Sequence, residues 1–111
     1  MKIKDIMLSP DKFPVVKEDL FLKETLEEMS NKKIGIACIV DDQYLLMGII
    51  TDGDIRRKLL KVQSPLSSFF IADSIEHAIL NPTVITPDVS LDEAVLIMEN
   101  KQIWDLPVVD E

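Results

Sequence analysis

The chain repeats itself, and this limits its possible folds more than any other feature. Residues 15–42, VVKEDLFLKETLEEMSNKKIGIACIVDD, superpose on residues 84–111, VITPDVSLDEAVLIMENKQIWDLPVVDE, at a constant offset of 69 without a gap. Val15, Asp19, Leu22, Glu24, Met29, Asn31, Lys32, Ile34, Val40 and Asp41 meet identical residues, ten in 28. Upstream, IKDIMLSP (3–10) matches IEHAILNP (75–82) at an offset of 72, which gives the first copy three additional residues around 11–13. A unit this small cannot bury its apolar face alone, so duplication points to two units covering each other.

Each copy reads as strand, helix, strand. Short strands are expected at 15–17 and 84–86. In the helices that follow, Leu22, Leu26 and Met29 recur at i, i+4 and i+7, as do Leu91, Val95 and Met98, and each set marks one buried stripe. Ser90 with Glu93 forms an S-x-x-E capping box, where the first copy has Phe21 in place of the serine. Buried strands rich in branched residues are expected at 35–40 and 106–109. In the first copy DDQ (41–43) turns the chain into a further strand, 44–50, and TDGD starts a helix that runs to about Leu60. The order is β-α-β-β-α, an α/β fold class of tandem repeats, 1–66 and 67–111. Glu111 aligns with Asp42, so counterparts of Gln43 to Leu60 lie beyond the sequence. The second repeat is therefore expected to be truncated at its C-terminal end, cut from a longer chain, with an open sheet edge.

Composition narrows the functions. A net charge of −8 argues against a nucleic-acid partner, since neutralising phosphates needs a basic face. The longest apolar runs, GIACIV and LLMGII, are far short of a membrane span, and no leader of the secretory type opens the chain. One cysteine, Cys38, fits a reducing compartment and reads as a small buried hydrophobe. A cytoplasmic location is expected, with no membrane partner. One histidine and one cysteine leave no metal cluster of ordinary spacing, and no nucleophile–base pair or acid/base dyad is visible. No catalytic residue, metal ligand or cofactor is therefore assigned.

The chemistry concentrates in MGIITDGDIRRKLL, residues 47–60. Thr51 at the N-cap and Asp54 at N3 of a helix form a pair that by itself stabilises the helix start by roughly 1 kcal/mol. Gly53 leaves the first turn without a side chain and open to close approach. Unpaired N–H groups and the positive helix end favour an anion there. Arg56 and Arg57 lie one turn beyond the aspartates. They either pair with them on a solvated face or reach a ligand phosphate or carboxylate. Two carboxylates with two guanidinium groups suit a ligand both polyhydroxylated and anionic. His77 reads as a surface residue. Trp104, standing where the first copy has Gly35, is either core or partly exposed near a cleft or subunit contact.

A duplicated β-α-β-β-α unit carrying GIITDGD resembles the CBS-domain pair, or Bateman module, over essentially the whole chain, and this implies a pseudo-twofold CBS pair. The family's G-x-x-T-x-x-D signature reads here as Gly48, Thr51 and Asp54. The resemblance implies that Thr51 approaches a ligand phosphate and Asp54 accepts hydrogen bonds from ribose hydroxyls. It also places the base or sugar against main chain around Val16–Lys17 and Ile36–Ala37. NKKIGIACIVDDQYLLMGIITDGDIRR is similar to the C-terminal CBS tail of bacterial D-arabinose 5-phosphate isomerases, and TDGD-hydrophobic-RR also occurs in CBS pairs of sugar nucleotidyltransferases. The implied function is regulatory: a non-enzymatic homodimeric module that senses CMP-Kdo, AMP or ATP for an attached isomerase domain. A dimerisation module without a physiological ligand is the alternative.

Overall fold

The computed structural model describes residues 1–63 and 65–110; Ser64 and Glu111 lie outside the described residues. Two compact units divide the chain, one formed by Pro10–Asn81 and the other by Met1–Ser9 with Pro82–Glu111.

In the larger unit, β1 (Val15–Lys17) precedes α1 (Leu22–Lys32), β2 (Ile36–Val40) and β3 (Leu46–Thr51). The chain then passes through α2 (Asp52–Leu59) and α3 (Leu66–Phe70), makes a 3-10 turn at Ser74–His77, and ends on β4 (Ile79–Leu80). The four strands form one sheet in the order β1-β2-β3-β4. Only β1 and β2 run parallel; β2–β3 and β3–β4 are antiparallel. Every residue of β2 is buried, as its unbroken run of apolar residues requires of a strand covered on both faces. Ala37, Ile39 and Ile50 join Leu22, Met29 and Ile55 in the main core, while Ile36, Cys38 and Ile49 form a second cluster with Phe13.

The strand expected at 44–50 begins only at Leu46. Tyr44 takes a left-handed conformation (φ 64°), in a turn where the Asp41 carboxylate accepts from the amides of Gln43 (2.8 Å) and Leu45 (3.0 Å). This Asx-type turn holds residues 43–45 out of the ladder. β4 lies so close to β3 that a Cβ on Gly48 would stand 2.8 Å from the Ile79 carbonyl oxygen, which makes glycine a packing requirement there.

In the smaller unit α4 (Leu91–Lys101) packs Leu91, Ala94 and Ile97 around Ile3 and Ile85. The expected stripe of Leu91, Val95 and Met98 is rotated: Val95 is 43% exposed and Ala94 takes the inward position. The strands expected at 84–86 and 106–109 reduce to one parallel bridge, Ile85–Val108. β2 is held from both sides by β1 and β3, whereas 106–109 has no β3 counterpart among the described residues. A two-stranded parallel pairing is marginal by itself. Trp104 is 90% exposed, so it belongs to no core. Ser90 Oγ accepts from the Glu93 amide (3.2 Å), but the return bond of a full capping box is not formed among the described residues.

The leading segments follow the same rule in both units. Leu22 N–H donates to Ala72 O (2.9 Å), Ser74 N–H to Leu20 O (2.8 Å) and Ile75 N–H to Glu18 O (3.2 Å). The matching bonds run from Leu91 to Met1 (2.9 Å), from Ile3 to Val89 (2.9 Å) and from Lys4 to Pro87 (3.0 Å). The Ala72 carbonyl satisfies the amide next to Phe21, which supplies no side-chain cap. These bonds set Met1 over Ala72 and Ile3 over Ser74, an offset of 71, which corrects the 72 read from matching apolar residues. The register follows from what each segment meets. Ser74 reaches the Thr25 hydroxyl, whereas Ile3 packs near Ala94, the counterpart of Thr25.

Both helices end alike, on a left-handed residue: Lys33 (φ 56°) and Gln102 (φ 57°), with Ile34 N–H and Ile103 N–H returning to Met29 O and Met98 O at 3.1 Å. Glycine suits such a position better than a residue bearing a Cβ. Lys33→Gly is therefore expected to stabilise the chain by about 0.5–1 kcal/mol after allowing for glycine's greater freedom when unfolded. Urea denaturation at an unchanged m-value measures it, and no gain would remove the argument.

Candidate functional site

The corner between β3 and α2 gathers most of the residues singled out by the sequence. Thr51 closes β3 opposite Ile36 and serves as N-cap of α2, its hydroxyl lying 3.4 Å from the Asp54 amide. The same hydroxyl donates to Asp54 Oδ2 at 2.7 Å, and Arg57 Nη2 donates to Oδ1 at 2.6 Å. Asp52 N–H donates to Gly35 O (3.0 Å), and a Cβ on Gly35 would stand 2.9 Å from Asp52 Oδ2. Arg57 folds back over the first turn, so that a Cβ on Gly53 would meet its Nη1 at 3.3 Å. Gly53 therefore leaves room for the Arg57 guanidinium, which occupies the approach the sequence had left open to a ligand.

Partial burial pushes the Asp54 carboxyl upward, but bonds from Thr51 and Arg57, with the charges of Arg57 and Lys58, outweigh it and hold the group below its usual 3.8. Folding thus favours the ionised form. The stabilisation is full above pH 3.8 and fades as pH falls through the lower folded value. Asp54→Asn is expected to cost about 0.5–1 kcal/mol near neutrality and nothing in strong acid. Chemical denaturation at both pH values checks this, and an equal cost at both would contradict the ionic origin.

The remaining expected residues divide. Ile36 and Ala37 lie beside the corner, opposite Thr51 and Ile50. Val16 and Lys17 pair with Ile39 and Val40, at the other end of β2, about 13 Å along the strand. Lys17 Nζ is engaged there by Asp41 O (3.1 Å) and Asp42 Oδ1 (3.4 Å). Val15 and Val16 border an open hollow with Glu24, Glu27 and Glu28, an acidic setting unsuited to an anion. Arg56 is exposed, and no ion pair holds it among the described residues.

Sequence reasoning missed a cavity of about 190 Å³ beside the corner, lined by Asp54, Arg57, Lys58, Lys61, His77 and Ile79. The i, i+4, i+7 spacing of Asp54, Lys58 and Lys61 was a usable signal; nothing in the sequence brought His77 to the same place. His77, expected at the surface, is partly buried. Its ring lies 4.5 Å from that of Phe69, and Nδ1 is buried without a hydrogen-bond partner. Burial, then the charge of Lys58, push its pKa below the usual 6.5 against the pull of Glu76. Among the described residues no cluster of His, Cys, Asp or Glu could hold a metal ion, and no helix is long and apolar enough to cross a membrane.

Fold and corner together define an α/β module built from a duplicated strand–helix unit. The chain belongs to the CBS-domain family, whose pattern matches residues 3–61 and 73–111. It is 36% identical over 115 residues to an uncharacterized protein of Rickettsia prowazekii, spanning 99% of this chain and 33% of that one. It is 32% identical over 110 residues to the arabinose 5-phosphate isomerase KdsD of Yersinia pestis, spanning 99% of this chain and 32% of the isomerase. The chain thus spans about a third of the length of these relatives. Among solved structures, it is similar to the CBS domain pair of protein MJ0100 in complex with 5′-methylthioadenosine and S-adenosyl-L-methionine. The TM-score is 0.81 at 25% identity, over 100% of this chain and 85% of that one. CBSX2 in complex with AMP shares the fold, with TM-score 0.83 at 24% identity over 98% and 81% of the two chains.

Proposed function

We propose that this chain is a non-catalytic regulatory module that binds a nucleotide or nucleotide sugar at the Asp54 corner and passes its occupancy to an attached D-arabinose 5-phosphate isomerase domain. One observation carries the reading. Asp54 keeps an ionised carboxylate with one bond on each oxygen, in a chain similar to a CBS pair bound to adenosine derivatives. A carboxylate offers about four acceptor sites, so two remain for the hydroxyls of a ribose. CMP-Kdo is the specific candidate, because it presents ribose hydroxyls, a phosphate and a sugar carboxylate together and ends the route that such an isomerase opens. AMP and ATP are the general candidates. The parent would then be a cytoplasmic enzyme serving lipopolysaccharide synthesis.

Calorimetric titration with CMP-Kdo, CMP, AMP, ATP and S-adenosyl-L-methionine tests the proposal. Saturable heat from at least one is expected, and silence from all at millimolar ligand would overturn it. A second reading, a homodimerising assembly module, is favoured by Val95, Leu96 and Trp104, which are 43%, 57% and 90% exposed. Sedimentation of the wild type and Asp54→Ala separates the two. A dimer that keeps its mass while losing all binding supports the sensor; a dimer that binds nothing even as wild type supports assembly. A nucleotidyltransferase reading frame joined to this one, in place of an isomerase, would reassign the parent.

A further inference from the structure

We propose that His77 is an acid-sensitive latch: its neutral ring holds the end of the 3-10 turn against Phe69, and protonation releases the stretch from His77 through β4. The inference stands apart from the ligand reading above and needs no molecule in the site.

Phe69 belongs to α3 and is 5% exposed in the main core; the His77 ring lies 4.5 Å from it at an interplanar angle of 46°. Nδ1 is enclosed and has no hydrogen-bond partner among the described residues. A neutral imidazole tolerates this, because the enclosed nitrogen is then the one without a proton and loses only an unused acceptor. An imidazolium does not. Both nitrogens carry N–H groups in that form, and an enclosed charged donor without an acceptor costs more than a neutral one.

The charges around the ring act in the same direction. Arg57 and Lys58 of α2, with Lys61 just beyond it, line one cavity with His77. Asp54, the carboxylate on that cavity, already accepts from the Thr51 hydroxyl and from Arg57. On the turn itself, the Glu76 carboxylate accepts from the Asp73 amide at 3.1 Å. β3, α3 and β4 carry no charged side chain, and α1 meets the turn through Thr25 at Ser74. A base among three cations thus has no carboxylate of its own, since both nearby acids are engaged elsewhere. Burial first, then Lys58, hold its pKa below 6.5 against the pull of Glu76. The closed form therefore takes up the proton less readily than an open one. Its stability is full above pH 6.5 and is lost as pH falls through the lower folded value.

What lets go is set by what stays anchored. The Ser74 and Ile75 amides donate to Leu20 O and Glu18 O, and the Ser74 hydroxyl is bonded to Leu20 O and Thr25, so the start of the turn is fixed. β4 has only Ile79 and Leu80, which are 40% and 58% exposed and pair with β3 at Ile49 and Gly48. So short an edge strand opens easily and depends on what flanks it, which on the leading side is His77. This stretch is the last of the larger unit before the chain enters the smaller one at Pro82.

NMR of the intact chain from about pH 7.5 to about pH 5 tests the latch, over the range where histidine changes charge and Asp54 keeps its own. The His77 ring is expected to titrate below 6.5, with the amide signals of Gly48, Ala78, Ile79 and Leu80 moving at the same midpoint. Hydrogen exchange at the acid end is expected to show weaker protection of the β3–β4 ladder than in His77→Phe at the same pH. The difference is about tenfold for each unit by which the ring's midpoint lies below 6.5. His77→Phe keeps the aromatic contact without the charge, and its β4 signals are expected to stay in place. His77→Gln, equally unable to titrate, serves the comparison if thermal melting near neutrality shows that phenylalanine disturbs the fold. The latch is overturned by a ring midpoint at 6.5 or above, by β4 amides that ignore the ring's titration, or by an equal acid loss of protection in the variants that cannot titrate.

Discussion

Replacing Asp54 with alanine is expected to weaken nucleotide binding by at least about a hundredfold while leaving the chain folded. The two parts of the expectation have different physical origins. Within the fold, Asp54 bonds the Thr51 hydroxyl and Arg57, and its side chain is 27% exposed, so the stability lost is about 1 kcal/mol. In a complex the carboxylate would accept from two ribose hydroxyls, each charged bond contributing about 1.5–3 kcal/mol, and alanine removes both. Freed Arg57 would also cease to cover Gly53. Calorimetry with AMP or CMP-Kdo gives the affinity and thermal melting gives the stability. A variant that binds as wild type does would remove Asp54 from the site; one that fails to fold would make its role structural.

Ser74→Ala is expected to destabilise the larger unit by about 1–3 kcal/mol, while the double change Thr25→Ala with Ser74→Ile is expected to be nearly neutral. Thr25 and Ser74 are fully buried, their hydroxyl oxygens lie 2.7 Å apart, and Ser74 Oγ donates onward to Leu20 O at 2.7 Å. Removing one member leaves the Thr25 hydroxyl enclosed without its partner, which costs more than the bond itself contributed. The duplication offers the alternative solution ready made: at the corresponding places in the smaller unit stand Ala94 and Ile3, an apolar pair. A double-mutant cycle in urea is expected to give a coupling of about 1–2 kcal/mol. Additive effects would mean that the two hydroxyls do not act as a pair.

That pair also marks the limit of what the sequence could reveal. Helical periodicity located α1 because Leu22 and Met29 obey it strictly, the matching spacing of Leu91, Val95 and Met98 located α4 but set its inward face one residue off, and TDGD located α2 because a threonine N-cap is a local signal. The leading segments were read one residue out of register. Apolar matching set Ile3 on Ile75, whereas the structure sets Ile3 on Ser74, and only the tertiary partners, Ala94 and Thr25, decide between them. Val95 carries the residue type of a core position, yet a quarter-turn difference in what the helix meets leaves it exposed. Asp54 and Arg57 were legible as a pair within one turn of helix. Lys58 and Lys61 could have been found from their spacing. His77 could not, since nothing local places it against Phe69 and α2.

Backbone amide NMR, recorded while AMP or CMP-Kdo is added to the intact chain, tests the central claim most directly. Occupancy of the proposed site is expected to shift the signals of Ile36, Thr51, Gly53, Asp54 and Arg57 together and saturably. A saturable response confined to other residues, with that group unmoved, would contradict it.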